Sequence, residues 1–172
     1  MDKKVLVAYA SKYCATAGIA EKIGEKLREA GLQAIILPVK SVSNLNDYGA
    51  VVLGSAVYIG QWRKEAASFI LANEKQLSSL PVWLFSSGPT EKGDPVELLK
   101  GWKYPAKLKP VIERIKPRDI TVFAGALDLK KLDFFSRFIV TRMVKSGVGD
   151  ARDWTAIGAW ASAIAADLKK QA

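Results

Sequence analysis

Lys4-Val5-Leu6-Val7-Ala8-Tyr9-Ala10, followed at once by Ser11-Lys12-Tyr13-Cys14-Ala15-Thr16, is the stretch on which the fold turns. The first seven residues are apolar almost without a break and too few for a helix. They read as a strand covered on both faces, as in a parallel sheet. Helical periodicity begins just beyond the hydroxyl-bearing loop. Over residues 17–30, Ile19, Ile23 and Leu27 share one stripe, while Glu21, Lys22, Glu25, Lys26 and Arg28 face water. Gly31 supplies the stop. A covered strand that runs through a short loop into an amphipathic helix is the opening of a βαβ unit.

The same alternation continues along the chain. Residues 33–39 form a second strand, which Pro38 assigns to an edge, and residues 50–56 a third. Residues 62–77 read as a helix striped by Ala66, Phe69, Ile70 and Leu77. Residues 81–87 and 120–126 are the fourth and fifth strands, with a Lys-rich, helix-like stretch over 106–115 between them. A last helix spans 154–168, with Asp153 as its N-cap. Five such strands in 172 residues predict one α/β domain over residues 1–172. The expected architecture is an open parallel five-stranded sheet, order 2-1-3-4-5, with helices on both faces. Ligands of such sheets bind beyond the carboxyl ends of the strands, beside the switch point between strands 1 and 3.

Composition narrows the chemistry. The chain has no His and one Cys, so it holds no Ser-His-Asp or Cys-His machine, no His-ligated metal and no CxxC pair. Redox chemistry would need a borrowed cofactor. No stretch is apolar for long enough to span a membrane, and no export signal of adequate length opens the sequence; a reducing cytosol is the expected location.

Three loops, residues 10–16, 55–61 and 86–104, should therefore carry function. Ser11, Lys12, Tyr13, Cys14, Ala15 and Thr16 place two hydroxyls and converging backbone N–H groups at a helix N-terminus, which suits a phosphate. The same residue types also make an ordinary helix cap. Neither the dinucleotide nor the triphosphate glycine motif is present. Ser55, Ala56, Val57, Tyr58, Ile59 and Gly60 follow the third strand. Tyr58 and the nearby Trp62 either wall a flat heterocycle or cap the core. Ser86, Ser87, Gly88 and Pro89 are small enough for backbone to approach a ligand edge.

Taken together, Val5–Tyr13 with Thr16, Val52–Tyr58, Trp83–Pro89, Phe123–Leu127 and Gly149–Trp154 resemble the flavodoxin-domain family. The resembling branch includes the menaquinone-dependent protoporphyrinogen dehydrogenases. The resemblance implies a flavodoxin-like fold and FMN, with Ser11 to Thr16 around the phosphate. Ser55 to Gly60 would then lie against the isoalloxazine and Ser86 to Pro89 on its other side. It implies oxidoreduction, from protoporphyrinogen IX or another organic donor to a quinone. An electron carrier between protein partners and a non-redox adaptor without FMN are the alternatives. Where the family usually has Gly followed by Ser or Gln, this chain has Cys14-Ala15. If Cys14 takes a positive φ, its Cβ costs about 1 kcal/mol or more. With no base or second Cys beside it, Cys14 reads as a loop filler rather than a nucleophile.

The net charge of +9 is concentrated in two late segments. Lys100, Lys103, Lys107, Lys109, Arg114, Lys116 and Arg118 face only Glu113; Lys130, Lys131, Arg137, Arg142 and Lys145 face only Asp133. Aromatics are interleaved with both: Trp102 and Tyr104 in the first, Phe134 and Phe138 in the second. Such faces are solvated, or meet an anionic membrane surface, an acidic substrate or an acidic partner. No recognition motif for nucleic acid accompanies them. The expectation is a peripheral association with the inner face of the cell membrane, through Lys100–Arg118 and Lys130–Lys145. A basic rim beside a flavin would also stabilise its reduced, anionic form.

Overall fold

The computed structural model describes residues 4–90, 93–127 and 149–170. At the centre of the sheet, β1 (Lys4–Ala10) runs parallel to β2 (Ala34–Pro38) on one side and β3 (Tyr48–Tyr58) on the other. A two-residue strand, β4 (Gln61–Trp62), folds back antiparallel on the end of β3. Beyond β3 come β5 (Val82–Ser87) and β6 (Asp119–Phe123), both parallel. The parallel strands therefore stand in the expected order, second, first, third, fourth, fifth. Pro38 sits on the edge strand opposite Tyr9, where its missing N–H breaks no ladder on the outer side.

Strand alternation explains why β1 had to be apolar throughout. Val5 and Val7 enter one core with Ile19, Ile23 and Leu27 of α1 (Ala15–Glu29) and with Ile157 and Ile164 of the C-terminal helix Trp154–Lys169. Leu6 and Ala8 enter the other, with Ala66 and Ile70 of α2 (Lys64–Ala72), Leu77 of α3 (Glu74–Leu77) and Ile112. Both faces are covered, so Val5 to Ala8 are apolar on both. Asp153 caps the C-terminal helix as expected, accepting from the Ala156 N–H at 2.9 Å.

Three sequence expectations need correction. Residues 62–77 are not one helix. Trp62 belongs to β4, paired with Val57, and the helix breaks at Asn73, whose Nδ2 donates to the Phe69 carbonyl at 2.9 Å. The Asn73 N–H reaches the same carbonyl at 3.1 Å, so backbone and side chain together close the last turn before α3 begins. The fifth strand stops at Phe123 rather than running to residue 126. Gly88 N–H donates to the Phe123 carbonyl, and Gly125 N–H to that of Pro89, so the chain turns away. Ala126–Leu127, here β7, then pairs antiparallel with β8 (Gly149–Asp150). Finally, a one-turn helix, α4 (Pro95–Leu98), occupies what reads as polar loop.

Three cations of the first basic segment are held in ion pairs. Arg114, on α5 (Lys109–Ile115), forms a bidentate pair with Glu74, Lys109 pairs with Glu113, and Arg118 pairs with Asp167 at the opposite end of the sheet. Lys130–Lys145 lies outside the described residues. Among the described residues, no helix is long and apolar enough to cross a membrane.

Candidate functional site

A cavity of about 610 Å³ opens beyond the carboxyl ends of β1, β3 and β5. That is the size of a small-molecule site. Ser11, Tyr13, Ala15 and Thr16 form one wall; Ala56, Val57, Tyr58 and Gly60 form the second; Ser87, Gly88, Pro89 and Thr90 form the third. The three loops read from the sequence thus converge on one space.

The first wall ends in the N-terminus of α1. The Cys14 turn that starts the helix offers no side-chain cap, and the first turn carries no acid. Its leading N–H groups have no acceptor one turn back and are directed out of the helix. Thr16 is fully buried, and its Oγ1 has no hydrogen-bond partner. A buried orphan hydroxyl is uncommon enough to require an explanation, and a ligand oxygen at the helix terminus supplies one. Donor hydroxyl, free N–H groups and absence of acid are what a phosphate needs. Cys14 does take the left-handed conformation, φ 68°. Its thiol is exposed and caps nothing. Cys14→Gly is therefore expected to raise stability, by about 0.5–1 kcal/mol, because it removes the Cβ strain and forfeits no contact. Chemical denaturation of the apoprotein measures this; a loss of stability would contradict it.

The second wall is a hairpin closed by Ile59-Gly60, both at positive φ. Tyr13 and Tyr58 meet edge to face at 6.3 Å across the floor, and Lys12 Nζ lies 4.9 Å from the Tyr13 centroid. Burial pushes the Tyr58 phenol up to about 12, the Tyr13 phenol adds to this, and Arg63 opposes it. Tyr58 is therefore a protonated donor at neutral pH, not a base.

Not all the predicted residues face the cavity. Ser55 is buried, donating to the Ala56 carbonyl and accepting from the Arg63 N–H at 3.0 Å. Ser86 is buried as well. It accepts from Trp62 Nε1 at 2.8 Å and donates to the Lys103 carbonyl at 2.6 Å. These two hydroxyls brace the walls from behind. Trp62, at 3% exposure, belongs to the core, so of the two aromatics only Tyr58 lines the cavity. Lys12 and Cys14 lie on the exposed side of their loop, and Ile59 stands at the hairpin tip, 91% exposed. None of these three lines the cavity.

A fourth wall comes mostly from the far end of the third loop, 86–104, beyond the residues singled out there. Leu98, Leu99, Lys100 and Trp102 close the cavity on the side of α4, and Gly125 and Ala126 close it beside β7. One signal was available. Asp94-Pro95 is an N-cap followed by a first-turn proline, and Gly101 is a stop. Asp94 does cap the turn, accepting from the Val96 N–H at 2.7 Å. Among the described residues, Lys100 is the one cation that lines the cavity, and no Asp or Glu does. Among the described residues, no cluster of His, Cys, Asp and Glu could hold a metal. A flat apolar group bearing a phosphate fits these walls: an aromatic floor, close backbone at Gly88, and the orphan Thr16 hydroxyl at one end.

Residues 6–153 match the model of the flavodoxin domain family. Protoporphyrinogen IX dehydrogenase [quinone] of Escherichia coli strain K12 is 22% identical over 94% of this chain and 94% of its own. The Leishmania major protein of that name is 25% identical over 95% of this chain and 75% of its own. Among solved structures, a flavodoxin from the domain Archaea superposes with a TM-score of 0.62, at 14% identity, over 96% of this chain and 99% of its own.

Proposed function

The chain belongs to the flavodoxin domain family, and from that premise we propose that its cavity binds FMN and that the protein is an oxidoreductase passing electrons from an organic donor to a quinone. The observation that carries the reading is the buried, unpartnered Thr16 hydroxyl at the mouth of α1, where the FMN phosphate would be held. FMN, once bound, supplies one- and two-electron exchange. The chain's own part is placement. Thr16 and the first-turn N–H groups would hold the anionic end, and Tyr58 and Gly88 would border the ring. Among the described residues that line the cavity there is no His, Cys, Asp or Glu, so the protein contributes orientation and field. The two relatives named for protoporphyrinogen IX support a tetrapyrrole donor. Lys100 supports an acidic one, since a cation at the rim attracts carboxylates.

The absorption spectrum of the purified protein, before and after adding FMN and desalting, is the test. Retained flavin bands are expected. A colourless protein after FMN addition would remove both redox readings and leave a protein or membrane adaptor. The exposed Ile59 at the hairpin tip favours a second reading, a carrier docking a protein partner beside the cavity. Anaerobic mixing with a quinone separates the two: turnover supports the enzyme, and stoichiometric exchange without turnover supports the carrier. Pelleting with anionic vesicles tests the membrane association proposed for the basic segments, and binding unaffected by salt would exclude an electrostatic origin.

A further inference from the structure

We infer that Arg152 is the positioning residue of the phosphate end of the cavity, and that Gly18 is glycine to leave room for its guanidinium. The inference rests on the FMN reading and specifies how this chain holds the N-terminus of α1 in shape.

The guanidinium is anchored on three sides. Its Nε and Nη2 donate to the two carboxylate oxygens of Asp150, at 2.8 and 2.6 Å, and its Cζ lies 4.4 Å from the Trp154 ring centroid. The remaining contact is outward: Nη1 donates to the Ala15 carbonyl at 3.2 Å. That bond spans 137 positions of sequence and lands on the first helical residue of α1. Ala15 C=O and Thr16 N–H belong to one planar, trans peptide unit, so they point in opposite directions. Fixing the carbonyl from behind fixes the Thr16 N–H toward the helix mouth, where the orphan Thr16 hydroxyl also lies. Cys14, immediately before, is in a strained conformation that no side-chain cap secures. Arg152 holds the turn from outside.

The same residue closes a belt around the cavity. Gly125 N–H donates to the Pro89 carbonyl at 2.8 Å, and Ala151 N–H donates to the Gly125 carbonyl at 3.1 Å. Arg152 then joins this wall to α1. Since Asp150 neutralises the guanidinium, the contribution is alignment rather than charge. A lysine, with a single ammonium, cannot grip both carboxylate oxygens in plane and reach Ala15 as well. Gly18 completes the unit. A Cβ there would lie 2.6 Å from Arg152 Nη1 and touch no backbone atom closely. Gly18→Ala therefore displaces the guanidinium and little else.

The test compares FMN with riboflavin, which has the same ring and no phosphate, by fluorescence titration of the full chain. In R152Q, FMN should bind about tenfold more weakly, the loss expected when a donor to a charged ligand is misaligned. Riboflavin affinity should be unchanged, which also shows that the variant is folded. G18A should reproduce the selective loss. The double variant should be no worse than R152Q, because both changes remove one interaction. R152K should fail to rescue. Equal loss of both flavins in R152Q, or full FMN affinity in R152Q or R152K, overturns the assignment. A wild-type chain that binds neither flavin overturns the FMN reading itself, and this assignment with it.

Discussion

Thr16→Val is expected to separate stability from cofactor affinity. Valine fills the volume of threonine and lacks the hydroxyl. In the protein alone that hydroxyl is buried without a partner. An unsatisfied buried polar group costs about 1–3 kcal/mol, so its removal should leave the apoprotein as stable as before or more so. With FMN present the sign reverses. A hydroxyl donating to an anionic oxygen contributes roughly 1.5–3 kcal/mol. FMN affinity should therefore fall by about tenfold to a hundredfold, with riboflavin affinity unaffected. Urea denaturation of the apoprotein and titration with the two flavins measure the two halves. If the variant loses stability and keeps its FMN affinity, the hydroxyl has a structural role and the phosphate site lies elsewhere.

Gly54→Ala is expected to destabilise the fold more than any surface change. Gly54 is in β3, paired with Tyr9 of β1 and Phe85 of β5. A Cβ on it would lie 1.9 Å from Phe85 Cζ, with two further ring atoms of Phe85 within 2.4 Å. Phe85 cannot retreat, because it packs against Phe123 at 5.9 Å and Trp160 at 6.1 Å, and those rings pack on each other at 5.5 Å. Overpacking a central strand against an immobile ring should cost about 3 kcal/mol. It should also disturb the cavity, since Ser55 to Tyr58 continue from the same strand. Combining Gly54→Ala with Phe85→Leu should recover part of the loss, because the smaller side chain vacates the clash. Additive losses in the double variant would show that the ring is not what makes glycine necessary there.

Much of this molecule was legible from residue patterns because the patterns have one physical solution each. Val5, Leu6, Val7 and Ala8 are all apolar, and in a strand neighbours face opposite sides, so both faces had to be covered. Ile19, Ile23 and Leu27 leave one face of α1 to bury. Asp153 before Trp154 is a cap in sequence and a cap in space. The illegible parts depend on distant partners. Phe123 ends a strand because the 88–89 loop takes up the next hydrogen bonds. Lys100 and Trp102 lie in the third loop, 86–104, but the one-turn helix that sets their wall is too short to show periodicity.

The sequence by itself determined the parallel sheet, its strand order and the three loops at the strand ends, because local hydrophobic period and loop position depend on near neighbours. Tertiary structure alone decided what each loop residue does. Ser86 and Ser87 are adjacent and chemically identical, yet Ser87 lines the cavity and Ser86 is spent on Trp62 and Lys103. Ser55 has found Ala56 and Arg63, while Thr16 has found nothing within the protein. A hydroxyl's role is set by which partners the fold brings within hydrogen-bond reach, and for Ser86 those partners come from segments remote along the chain.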